Sequence, residues 1–355
     1  MRRRRLLDLL VVLGTLVLLV PVAELVVRAV APQTLPSQEM IRSFVLEGMY
    51  EIDEDAGYRL TPEFSGRLVR AGHVTNFSTN SLGLRGDEPG PKSGPRILAL
   101  GDSFTWGWGV DQGEDWVHRL QEELARRSDL DEVETWNGGV NGYGTESALA
   151  LLRRVGPELQ PDLVLAGFFA NDYTDNLIGA RNTYTVRNGY LFDEFSHRHL
   201  QESFLARESH LYRLLQVAWE TVRVRHLGGV PHQRPVRNFS ADDFAKGADL
   251  SEKWLREMHD ESERLGARFA VVWLPADVYA LARRRAEDIP LRADLQQRVA
   301  DAGIPSMDLL PVVTSEQRIA GLYLANDGHF SPRGHRVAAR AIARWILDEE
   351  LLPPR

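Results

Sequence analysis

The sequence contains no cysteine. No disulfide can staple the chain, no thiolate can hold a metal or attack a substrate, and no lipid can be attached through a thiol. Basic excess is missing too: 42 Lys and Arg stand against 50 Asp and Glu, a formal net charge of −8. That removes the positive footprint a nucleic-acid partner requires. Internal repeats and low-complexity segments are absent. What remains is ordinary globular material, 355 residues that are 43% hydrophobic and 26% charged, enough for one large domain with additions.

The N-terminus departs from this average. Arg2, Arg3, Arg4 and Arg5 precede a run in which residues 9–23 carry no charge. Extended to Asp8 and Glu24, the run matches a bilayer core of ~30 Å at about 1.5 Å per residue. The arginines place that end in the cytoplasm and the remainder outside the cytoplasmic membrane. The expectation is a single-pass anchor. A secreted form is the competing reading, because Ala29-Val30-Ala31 resembles a cleavage site, although Pro32 follows it directly.

Three segments follow from these patterns. Residues 1–32 form the arginine stub and anchor, residues 33–92 a linker and covering arm with short extended stretches, and residues 93–355 the main domain. Within the last, "RILAL", "EVETW", "DLVLAGFF", "ARFAVVWLP" and "IPSMDLL" read as strands alternating with amphipathic helices. Residues 178–239 are an irregular insertion. Strands apolar throughout, separated by helices, predict an α/β domain with a parallel sheet covered on both faces. Ligands of such sheets bind beyond the carboxyl ends of the strands.

Three polar loops follow strand ends. The first delivers Asp102 and Ser103 directly after "RILALG". A serine hydroxyl needs an adjacent base, a group that orients the base, and donors facing the developing oxyanion. The base candidate is His329 in "LANDGHFSPRGH", with Asp327 two residues before it to fix its tautomer. Donor candidates are Gly142 in "GVNGYGT", where the missing Cβ lets a backbone N–H approach, and the Asn171 amide after "GFFA". Each has a plainer reading, Gly142 as a turn glycine and Asn171 as an Asx turn. Asp102 reads as a turn-shaping carboxylate and Asp172 as a brace for the Asn171 loop. Trp106 and Trp108 are either walls of a substrate cleft or packing. His335, inside the last helix, reads as structural; a metal held by Asp327, His329 and His335 is the alternative, with no other metal-like cluster beside it.

Taken in order, Gly101-Asp102-Ser103, the loop carrying Gly142, Asn171, and Asp327 with His329 resemble the blocks of the SGNH (GDSL) hydrolase family over roughly residues 96–345. The flanking "NSLGLRG" and "HFSPRGH" resemble its bacterial membrane-anchored members. The resemblance implies a flavodoxin-like three-layer sandwich and no cofactor. It makes Ser103 the nucleophile, His329 the base and Asp327 its orienting acid, with the oxyanion held by the Ser103 and Gly142 N–H groups and the Asn171 amide. Many members space the last acid and histidine as Asp-x-x-His, whereas here Asn326 occupies that position. "GFFAND" carries one extra residue between its glycine and asparagine.

The function expected is a membrane-anchored, extracytoplasmic serine esterase acting through an acyl-enzyme on acyl esters of a glycan or a lipid. An O-acyltransferase on envelope polysaccharide would use the same site. A non-catalytic scaffold in envelope polysaccharide assembly is the rival of another class.

Overall fold

The computed structural model describes residues 2–31, 46–70, 73–127, 132–179, 184–187, 190–193, 209–212, 214–215, 218–219, 239–275, 288–317, 319–324 and 328–353. The chain divides into two compact units, one made of residues 1–44 and 195–237, the other of residues 45–194 and 238–355.

In the first unit, helix α1 runs Arg2–Val30. Leu18, Leu19, Val22 and Leu25 on it are exposed. The apolar run is then interrupted: Glu24 pairs with Arg28 at 2.7 Å and accepts hydrogen bonds from the Ser209 hydroxyl and the His210 and Leu211 N–H groups. The expectation of a spanning segment is met only as far as a helix, because among the described residues no helix is long and apolar enough to cross a membrane.

The second unit begins with two antiparallel hairpins, β1 (Tyr50–Asp53) with β2 (Gly57–Leu60) and β3 (Ser65–Arg70) with β4 (His73–Ser78). Then come β5 (Arg96–Gly101), α2 (Ser103–Trp106), α3 (Trp116–Arg127), β6 (Glu134–Gly139), α4 (Thr145–Leu159), β7 (Leu163–Phe168) and α5 (Asp172–Ile178). A third hairpin, β8 (Tyr184–Arg187) and β9 (Tyr190–Asp193), precedes α6 (Ala241–Arg264), β10 (Arg268–Trp273), α7 (Asp288–Asp301), β11 (Ser306–Asp308), α8 (Leu310–Ser315) and α9 (Pro332–Asp348). Of the expected insertion at 178–239, residues 180–183, 188–189, 194–208, 213, 216–217 and 220–238 lie outside the described residues.

Five strands form one parallel sheet in the order β6-β5-β7-β10-β11. Numbered by appearance in that sheet the order is 2-1-3-4-5, the flavodoxin-like arrangement, whose switch point lies between β5 and β7. Every residue of β5 and β7 is buried. Two-residue periodicity sends Leu98 and Leu100 into the core shared with α4 and α6, and Ile97 and Ala99 into the core shared with α3 and α9. Helices thus cover both faces, which explains the uninterrupted apolar strands. The sheet ends flat: Gly101 stands opposite Gly139 on one neighbour and Gly167 on the other.

Candidate active site

Helix α2 rests on that flat edge. Gly101 has φ +153°, and a Cβ there would meet the Thr105 hydroxyl at 2.5 Å and the Gly167 carbonyl at 2.6 Å. Only glycine lets the chain turn so sharply from strand into helix. Asp102 caps the helix, its Oδ1 accepting from the Phe104 N–H at 2.9 Å. Ser103 is therefore the first helical residue, raised at the switch point of the sheet.

His329 arrives from the other end of the chain. Its Nε2 lies 2.8 Å from Ser103 Oγ across 226 residues of sequence. The loop bearing it is pinned on both sides: Leu324 N–H donates to the His329 carbonyl at 2.8 Å, and Ser331 N–H to the Leu322 carbonyl at 2.8 Å. The imidazole lies over the Phe104 ring, centroids 4.8 Å apart, with Trp108 on a further side at 6.0 Å. Asp327, the expected orienting acid, and Asn326 beside it lie outside the described residues.

Gly142 sits in a tight turn. The Tyr143 N–H bonds the Val140 carbonyl at 3.1 Å, and φ of Gly142 is +80°, the third position of a type II turn, which favours glycine. The Val140 N–H bonds the Gly101 carbonyl at 2.9 Å, so this turn is tied to the root of the Ser103 turn. Asn171 lies at the start of α5 with its Nδ2 donating to Asp175 Oδ2 at 2.8 Å, while its Oδ1 is buried without a partner. The amide expected to face an oxyanion is thus engaged at the start of its own helix, and its side chain also reaches the Asp102 carboxyl.

The tryptophans resolve towards packing. Trp106 is fully buried against Phe77 and Trp108, and so cannot wall a cleft. Trp108 is buried also; its ring lies against the His329 ring and its backbone N–H donates to the Ser103 carbonyl at 3.1 Å. His335 is buried, its Nδ1 accepting from the Trp116 N–H at 3.1 Å, and burial pushes it down to about 3. That nitrogen ties α9 to α3, its Nε2 is buried without a partner among the described residues, and the metal alternative also needs Asp327, which lies outside them.

Two buried acids underlie the nucleophile. Burial pushes Asp102 up to about 6, with the Phe104 N–H and the neighbouring His329 acting in the opposite direction. Asp172 is raised well above the carboxylate range by burial and by Asp102. Its oxygens accept from the Thr145 hydroxyl at 3.1 Å and the Phe169 N–H at 2.8 Å, which makes it the brace of the β7–α5 turn.

Sequence reasoning missed the group beneath α2. Arg85, fully buried, donates to the carbonyls of Trp106 (2.5 Å), Gly107 (2.9 Å) and Val110 (2.8 Å), and lies 4.5 Å over the Trp106 ring. Asn137 adds a bond to the Thr105 carbonyl at 2.9 Å. Asp115 accepts from Asn137 and His118 at 2.9 and 2.7 Å; burial opposes its charge, but His118 and Arg85 hold it below the usual carboxylate range. The available signal was the charged residue inside "NSLGLRG", noted only as a flank.

With this geometry in hand, the sequence matches the GDSL-like lipase/acylhydrolase family over residues 99–337. The chain belongs to that family. It is accordingly an ester-bond hydrolase of α/β fold. Solved structures that resemble this hydrolase include a lipase/acylhydrolase from Enterococcus faecalis, 19% identical with a TM-score of 0.44, covering 74% of this chain and 98% of its own. An esterase from Pseudoalteromonas sp. is 16% identical, with a TM-score of 0.41, covering 72% of this chain and 98% of its own. A catalytic mutant of an acetylxylan esterase from Geobacillus stearothermophilus is 16% identical, with a TM-score of 0.41, covering 75% and 100%. No curated protein matches the sequence.

Proposed function

We propose that this hydrolase cleaves acyl esters of a glycan or a lipid through an acyl-enzyme on Ser103. The observation that carries the reading is the 2.8 Å separation of Ser103 Oγ from His329 Nε2 at the switch point of the sheet. His329 takes the Ser103 proton as Oγ attacks the ester carbonyl, and returns it to the leaving alcohol; water, activated by the same imidazole, then releases the acid. Asp327 orients the ring. The oxyanion is received by the Ser103 and Gly142 N–H groups, neither of which donates to another described residue. Asn171 joins them by exchanging its Asp175 partner for substrate. Attachment to a membrane through residues 2–30, with the hydrolase domain outside the cytoplasm, belongs to the same proposal. It is supported by the uncharged run 9–23 behind four arginines and by the exposed apolar side chains of α1.

Mass spectrometry after treatment with a fluorophosphonate tests the nucleophile. The expected label is on Ser103, and labelling elsewhere overturns the assignment. Ser103→Ala should lower turnover of an activated aryl ester by several powers of ten. Asn171→Ala should lower kcat by about 10²–10³; an unchanged kcat removes Asn171 from the oxyanion site. A panel of acetylated oligosaccharides and short-chain lipid esters then separates the two substrate classes. Alkaline extraction of membranes tests attachment, since release of the full chain into the supernatant would overturn it.

A further inference from the structure

Gly142 is held by the hairpin that precedes the family-matched domain. Tyr58 Oη donates to the Asn141 carbonyl at 2.6 Å. That carbonyl and the Gly142 N–H belong to one peptide unit. The chain has no cis peptide among the described residues, and in a trans peptide the two groups point in opposite directions. A donor fixed on the carbonyl therefore sets the direction of the N–H on the far side. It also polarises the unit, since hydrogen bonds in series strengthen one another. The side chain of Asn141 is fixed separately, its Nδ2 donating to Tyr50 Oη at 2.9 Å.

The phenol is itself immobile. Tyr58 is fully buried, with the rings of Tyr50, Tyr143 and Tyr184 edge-on at 5.5, 5.3 and 5.1 Å. The Tyr143 hydroxyl donates to the Tyr58 backbone carbonyl, which closes a loop of contacts between arm and turn. Burial raises the Tyr58 hydroxyl well above its ordinary value, and the neighbouring phenols reinforce that, so it stays a donor throughout any working pH. Tyr58 and Tyr184 also crowd the place where a Cβ on residue 142 would stand, at 2.8 and 3.2 Å from their hydroxyls.

We propose that Tyr58 is a positioning residue for catalysis: through its hydrogen bond to the Asn141 carbonyl it aims and polarises the Gly142 N–H at the oxyanion. This rests on the reading of Gly142 as an oxyanion donor. It gives the arm a role in the reaction rather than only a covering one.

The test uses the full chain and an activated aryl ester. Tyr58→Phe keeps the ring and removes the hydroxyl. We expect kcat to fall about tenfold, less than for loss of an oxyanion donor itself, with KM within about twofold. The amide proton of Gly142, followed by glycine-selective 15N labelling, should move upfield as its peptide loses polarisation. Ser147→Ala is the control. It removes another hydrogen bond between arm and core, from the Ser147 hydroxyl to the Ala56 carbonyl at 3.1 Å, and should leave both kcat and the Gly142 resonance unchanged. A Tyr58→Phe enzyme with wild-type kcat overturns the inference, as does a Ser147→Ala enzyme with the same loss. A chain that labels on Ser103 with fluorophosphonate but whose Gly142 amide proton keeps its unlabelled shift would instead remove the oxyanion reading beneath it.

Discussion

The turn carrying Ser103 and the turn carrying Gly142 leave adjacent strands, β5 and β6, yet they are braced by opposite chemistry. The Ser103 turn is held by ions: the Asp102 carboxyl at the start of α2 and the Arg85 guanidinium at its end. The Gly142 turn is held by neutral phenols. The difference follows from what each turn leaves unsatisfied. A four-residue helix exposes several carbonyls in one direction, and no water reaches them here. One planar guanidinium meets the Trp106 carbonyl together with those of Gly107 and Val110 in the turn that follows, which no neutral side chain could do. Its buried charge then requires a counter-charge, and Asp115 supplies it. The Gly142 turn leaves a single carbonyl facing the arm, for which one hydroxyl suffices with no desolvated ion.

Removing the ionic brace should therefore cost far more than removing the phenolic one. Arg85→Met takes a charged donor from three buried carbonyls, leaving Trp106 and Gly107 only the longer bonds from Asn137 (3.3 Å) and the Val110 N–H (3.4 Å), and leaves Asp115 without part of its compensation; we expect a loss of about 3–5 kcal/mol in urea unfolding. Tyr58→Phe leaves one carbonyl short, a loss of about 1–2 kcal/mol. Arg85→Lys sharpens the point: it keeps the charge but not the fork, so it should recover only part of the difference. Equal losses for Arg85→Met and Tyr58→Phe would break the comparison.

These braces also mark the limit of what the sequence made legible. The apolar strands and the glycine before Asp102 could be read because each is a local pattern with a chemical purpose, and the pairing of Ser103 with His329 because the order of the blocks resembles a family. The strand expected over 132–136 in fact runs Glu134–Gly139. It continues into its glycines because the edge of β5 pairs with them, a tertiary reason that the loop-like letters hide. Arg85 and Tyr58 act on atoms about 20 and 80 residues away, on backbone carbonyls that every residue possesses, so no side-chain pattern announces them. The exposed, stacking role considered for Trp106 failed for the same cause. Its ring is claimed by Arg85 and Phe77 from the arm. Asn171 shows the converse, since its choice of Asp175 depends on α5 starting where it does.

The smaller test concerns the other end of α2, where the ionic brace is strained by its own surroundings. Asp102 is held up to about 6 chiefly by burial, with Asp172 raised beside it. A carboxyl whose folded pKa lies above its unfolded value, about 4, binds more protons in the native state between those two pH values. Folding stability must then fall as pH rises from about 4 to about 6, and stay reduced above it. Two pH units correspond to about 3 kcal/mol. Asp102→Asn keeps the Oδ1 that accepts from Phe104 and removes the titration, along with the charge that Asp172 opposes. Relative to wild type the variant should therefore gain stability across that window, by up to about 3 kcal/mol in urea unfolding at pH 7 compared with pH 4. Tyr58→Phe, whose lost group does not titrate in this range, should show the same deficit at both pH values. A difference between wild type and Asp102→Asn that is flat with pH would mean that the two turns are braced alike after all.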